Sequence, residues 1–199
     1  MLRFTAIEIR DIIISMSIIA FIFAYAFSGR NISNPNFAYF IIISFIAVGL
    51  GFVLHELAHK FVAIRYGFWA EYRMWAEALI FSLIISFVGF IIIAPGAVYI
   101  HGNYISREQN GKISIAGPLT NIILAGLFFL LMQYSSSSPI IMLLGLLGFT
   151  INSFLALFNL IPFSIFDGAK IFRWNPLIWL SAAAVAGLMV LYSFTGLNF

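Results

Sequence analysis

The sequence contains no cysteine, which excludes disulfides, thiolate metal sites and thiol catalysis. Any zinc site must then be built from histidine and carboxylate. Charge is also scarce: 9% of the 199 residues are Asp, Glu, Lys or Arg, against about 25% in soluble domains. With 63% of residues hydrophobic, most of the chain must face lipid or other helices. No polar stretch is long enough for an appended soluble module, so one membrane domain over 1–199 is expected. There is no G-x-S-x-G, and no sign of the internal repeats common in secondary transporters. Nothing points to a nucleic-acid partner.

Histidine is rarer still, yet two of the three fall in one string, His55-Glu56-Leu57-Ala58-His59, an H-E-x-x-H. Residues four apart share a helix face, so two imidazoles can bind one ion. The glutamate beside them is placed to take a proton from water held there. The motif follows an apolar run, Phe37 to Leu54, which puts this chemistry inside a membrane. Two imidazoles and an acid at that depth are costly unless they coordinate or pair.

The apolar runs set the layout. Ile12 to Phe27 reads as a first span, with a cleaved signal ending at Ala24-Tyr25-Ala26 as the alternative. Ser28 to Asn36 is a turn-rich loop, and a second span runs from Phe37 through the H-E-x-x-H to about Tyr66. Residues 67–112 form an insert. It holds an apolar run from Ala78 to Ala94, a break at Pro95-Gly96 and a short strand at Ala97 to Ile100. A third span starts near Ile113 and ends near Tyr134, and Ser135 to Ser138 is a loop. A fourth span covers Ile140 to Leu160 and a last one about 174–194. The fold class is an all-α polytopic membrane protein of about five to six membrane segments, with a small re-entrant or β-hairpin insert.

With the N-terminus in the cytoplasm and 67–112 returning to the side it left, nine of the ten basic residues fall inside and only Arg30 outside. A full crossing by 78–94 would place Lys170 and Arg173 outside, so the re-entrant arrangement is preferred. The expected location is the cell membrane, multi-pass.

Two histidines leave a catalytic zinc one protein ligand short of the usual three. Position 65, where metzincins carry a third histidine, is arginine. Glu71, Glu77 and Glu108 lie in polar or interfacial stretches. Asp167, beside Gly168 and after a helix broken at Pro162, is either the missing ligand or an ordinary aspartate capping the next helical turn. Spacing does not separate those two. His101 reads as a solvated loop residue, and Asn159 by itself as a helix C-terminal asparagine. Gly117, Asn121 and Ala125 fall four apart, a narrow face for close helix packing across which Asn121 can hydrogen-bond.

Residues 159–168, N-L-I-P-F-S-I-F-D-G, resemble the N-x-x-P-x-x-x-x-D-G signature of site-2 proteases. Gly117-Pro118-Leu119-Thr120-Asn121 resembles the G-P-x-x-N helix start of the same family, and the three motifs stand in family order. The resemblance covers a three-helix catalytic core, approximately 40–66 and 113–170, flanked by helices at 12–27 and 174–194. It implies that His55, His59 and Asp167 are zinc ligands, one zinc per chain, that Glu56 is the catalytic base, and that Asn159 positions the substrate or polarises its carbonyl. The implied activity is an intramembrane zinc endopeptidase acting on transmembrane protein substrates in the lipid bilayer. The insert at 78–94 departs from simpler family members. Two other readings remain: a membrane protease of the type that trims prenylated C-termini, which needs a glutamate ligand such as Glu108 or Glu77, and a non-proteolytic metal-binding or transport protein.

Overall fold

The structure, a computed structural model, describes residues 4–196 except 94, 103, 135–137 and 164. Arg3, Ala94, Asn103, most of the expected loop at 135–138 and Ser164 therefore lie outside the described residues.

Helix α1 (Ala6–Phe27) opens on Thr5, whose hydroxyl accepts the Glu8 N–H at 3.1 Å. It begins six residues before the expected span at Ile12. Next, α2 (Phe37–Val48), a π-helical turn (Gly49–Val53) and α3 (Leu54–Arg65) run on as one helix of 29 residues. The π turn sits directly before the H-E-x-x-H, and such turns recur at functional sites. Strand β1 (Trp69–Met74), helix α4 (Ala76–Val88) and strand β2 (Gly96–His101) make up the insert. The chain closes with α5 (Arg107–Tyr134), α6 (Pro139–Asn159), α7 (Asp167–Trp174) and α8 (Pro176–Gly196).

Four helices among the described residues are long and apolar enough to cross a membrane: Phe37–Arg65, Arg107–Tyr134, Pro139–Asn159 and Pro176–Phe194. They leave large apolar side chains outward, among them Ile42, Leu127, Ile140 and Leu188, a surface that suits lipid and not water. The protein is thus an all-α polytopic membrane protein with one small sheet. Helix α4 has 13 residues, about 20 Å of helix, and is too short for a hydrocarbon core of about 30 Å.

β1 and β2 pair antiparallel with Met74 opposite Gly96, so the chain between them returns to the level it left. The pairing gives the small β-hairpin insert that was expected. The sequence reading had β2 as Ala97 to Ile100 and did not place β1. Glu71 was expected in a polar or interfacial stretch, but it is buried, accepts from Thr5 and pairs with Arg73 at 2.9 Å. β2 also extends to include His101, which is exposed opposite Trp69.

Helix α5 starts six residues before the expected Ile113 because Ser106 and Gln109 form a reciprocal cap. The Gln109 N–H donates to the Ser106 hydroxyl at 3.1 Å, and the Ser106 N–H donates to Gln109 Oε1 at 3.0 Å. The main core joins α1 (Ile19, Phe23), α2 (Ala47, Val48), Tyr72 of β1 and α6 (Ile151, Leu155). It holds the insert against the helix that carries the two histidines.

Candidate metal centre

His55 and His59 lie one turn apart on α3, with their Nε2 atoms 3.0 Å apart. Asp167, the first residue of α7, places Oδ2 2.9 Å from His59 Nε2 and 3.4 Å from His55 Nε2. All three side chains are buried, and one ligand atom from each lies within 4.8 Å of the others. The α6 helix ends at Asn159, and the chain turns at Pro162 to bring Asp167 back to α3. A Cβ on Gly168 would stand 2.2 Å from the Leu160 carbonyl oxygen, so only glycine lets α7 start this close to the end of α6. The residue capping α7 is Phe166, not Asp167.

The outer nitrogens of the imidazoles are held by α5. His59 Nδ1 is 2.7 Å from the Ile113 carbonyl oxygen, which can only accept, so Nδ1 carries the proton and Nε2 a lone pair. His55 Nδ1 meets Asn121 Oδ1 at 2.5 Å. Asn121 Nδ2 donates to the Gly51 carbonyl at 3.1 Å and to Asn152 Oδ1 at 3.0 Å, which fixes its amide with the oxygen toward His55. Asn152 is fixed in turn by donating to the Gly148 carbonyl at 2.9 Å. Both Nε2 lone pairs therefore point inward. Asn121→Ala is expected to lower zinc affinity by about 10- to 100-fold, the usual cost of removing such a partner, measurable by competition with a chelator.

Asp167 belongs to α7, which is not one of the four spans, and its carboxylate faces Lys170 as well as the two imidazoles. Lys170 Nζ lies 3.4 Å from Oδ1, leaving Oδ2 toward the imidazoles. Two inward nitrogens and one carboxylate oxygen, with no sulfur, form a donor set that suits zinc.

Gly117 gives a second sign of a built cradle. A Cβ there would lie 2.4 Å from His59 Nε2 and 2.5 Å from His55 Nε2. Gly117→Ala should raise helix stability by about 0.5–1 kcal/mol from propensity alone. Displacement of both rings is nevertheless expected to dominate, so zinc content should fall while the helix persists.

Glu56 is buried on the same helix, and its Oε2 has no hydrogen-bond partner among the described residues. It faces an open cavity that also touches Asp167, Asn159, Lys170, Val98 and Ile100. Asn159 is half-buried there, with its amide donating to the Leu155 carbonyl at 2.9 Å. The structure therefore brings together His55, His59, Asp167, Glu56 and Asn159. It keeps the other carboxylates away: Glu108 pairs with Lys112 at 2.5 Å, Glu77 is exposed, and Glu71 is tied to Thr5 and Arg73. The sequence places Asn121 on a packing face from which it can hydrogen-bond to the second span, and the structure gives that bond to the ligand His55. The signal was the four-residue step from Gly117 to Asn121, the same step that separates the two histidines.

The profile of peptidase family M50 matches residues 43–141. A Methanocaldococcus jannaschii protein named "Putative zinc metalloprotease MJ0611" is 49% identical over 188 residues, which are 94% of this chain and 92% of that one. A second protein of that organism, "Zinc metalloprotease MJ0392", is 29% identical over 170 residues, covering 83% of this chain and 43% of its own length. No solved structure matched. With a relative so similar across nearly its full length, this chain belongs to peptidase family M50, the site-2 protease family of zinc metalloproteases.

Proposed function

We propose that this zinc metalloprotease is an intramembrane endopeptidase that cleaves transmembrane segments of other membrane proteins. The observation that carries the reading is that His55, His59 and Glu56, whose Oε2 has no partner among the described residues, stand on an apolar 29-residue helix and meet Asp167 of α7 there. His55 stands ten residues before Arg65, about 15 Å of helix below the charged end. His55, His59 and Asp167 hold one zinc ion per chain. The N-terminus is cytoplasmic in a multi-pass protein of the cell membrane, which keeps the basic residues inside.

The chemistry a bound zinc supplies is Lewis-acid activation of water and of the scissile carbonyl. Glu56 takes one proton as water attacks the carbonyl carbon. It returns that proton to the leaving amine as the C–N bond breaks. Asn159 has a second amide N–H, without a partner among the described residues, that can donate to the substrate carbonyl or a neighbouring group. A helical substrate hides its carbonyls in its own i to i−4 bonds, so it must unwind locally and find new backbone partners at that depth. β2, which lines the cavity, offers them by strand addition.

The test uses purified protein in liposomes with a model membrane-spanning substrate. Cleavage inside the apolar segment, lost with a chelator and restored by zinc, is expected. Cleavage confined to soluble loops would contradict the intramembrane assignment.

A further inference from the structure

Among the described residues, the most deeply buried charges lie outside the metal centre. Glu8 and Asp11 on α1 and Lys60 on α3 are 1%, 3% and 2% exposed, against 4% for His55 and 9% for Asp167. Charges so placed are costly unless they are fully partnered. Lys60 Nζ donates to both Glu8 oxygens at 2.8 and 2.7 Å and sits 4.3 Å from the centre of the Phe4 ring.

The acids also bind backbone. Glu8 Oε1 accepts the Tyr72 N–H at 3.0 Å, and Asp11 Oδ2 accepts the Met74 N–H at 3.3 Å. In an antiparallel ladder, a residue's N–H and C=O both face the partner strand or both face away. Tyr72 and Met74 face away, toward the acids. Their partners in register, Val98 and Gly96, must therefore direct their own groups to the opposite edge of β2, as must Ile100 by the two-residue period. Gly96, Val98 and Ile100 all line the metal cavity. One edge of the sheet is closed by carboxylates, and the other opens on the site. A further tie runs through the Tyr72 hydroxyl, which meets Ser15 of α1 and the Pro95 carbonyl, each at 2.9 Å, just before β2 begins.

We propose that Glu8 and Asp11 are positioning residues for proteolysis: with Lys60 they close the outer edge of β1 and fix the sheet to α3, presenting the backbone of Val98 and Ile100 to an extended substrate. The inference rests on strand addition to β2 as proposed above. Lys60 directly follows His59, so the tie joins the substrate strand to the helix of the metal ligands.

The test measures KM, kcat and bound zinc for full-length variants in lipid. Asp11→Ala removes the Met74 acceptor and leaves the Glu8–Lys60 pair intact. We expect KM to rise about tenfold, the scale of one charge-assisted hydrogen bond, with kcat within about threefold and zinc unchanged. Asp11→Asn keeps an acceptor oxygen and should bring KM back near the wild-type value. Val98→Pro removes an outward N–H without touching the β1–β2 ladder, and should raise KM on its own. Ile100→Pro does the same two residues on and serves if Val98→Pro loses its zinc. A raised KM in the proline variants with an unchanged KM in Asp11→Ala would overturn the positioning role and leave strand addition standing. An unchanged KM in a zinc-loaded proline variant would overturn both. Loss of zinc or of kcat alone in Asp11→Ala would mark the acid as merely structural and also overturn the inference.

Discussion

Glu56→Gln is expected to lower kcat by about 10^2- to 10^4-fold, the usual contribution of a positioned general acid–base. Zinc content and fold should stay as in the wild type. The glutamine keeps the size of the side chain and cannot take a proton from water. Its carboxylate oxygen has no partner in the described structure, so no internal hydrogen bond at Oε2 is lost with the charge. The assay is cleavage of a membrane-spanning substrate by equal amounts of zinc-loaded protein. Retained activity would falsify the assignment of Glu56 as the base.

Asp167→Asn is expected to weaken zinc binding by more than about 100-fold, above the 10- to 100-fold loss typical of partners that only orient a ligand. The substitution preserves volume and replaces an anionic oxygen with a weakly donating amide. Of the other glutamates weighed as third ligands, Glu71 and Glu108 are tied to residues outside the centre and Glu77 is exposed. Zinc analysis after dialysis against a chelator reads the effect directly. A variant that kept stoichiometric zinc would remove Asp167 from the ligand set.

The H-E-x-x-H was legible in the sequence because its two ligands are one helical turn apart, a spacing that local geometry alone interprets. Asp167 was not legible by the same means. Its meeting with His59 depends on α6 ending at Asn159 and on the close approach of Gly168 to Leu160, both of which are tertiary facts. Resemblance to a family supplied what spacing left open. The spans were readable from apolar runs, but helix starts were not, since α1 and α5 begin in polar residues. The Ser106–Gln109 cap was present in the sequence as S-x-x-Q and marks where α5 begins. β1 does carry a strand's alternation, Ala70-Glu71-Tyr72-Arg73-Met74, but over too few residues to stand out from the polar stretch that Glu71, Arg73 and Glu77 form before Ala78. Glu8 and Asp11 simply precede the apolar run that begins at Ile12. Their partners are Lys60 and two strand amides more than fifty residues away, and no local pattern announces them.

The central claim is that His55, His59 and Asp167 share one ion within the membrane-embedded part of the protein. An experimental structure in a bilayer mimetic, with data collected at the zinc absorption edge, tests it most directly. The account predicts one anomalous peak about 2.0–2.2 Å from Nε2 of both histidines and from an Asp167 carboxylate oxygen. A peak elsewhere, or an Asp167 side chain turned away from an ion held by the histidines alone, would contradict it.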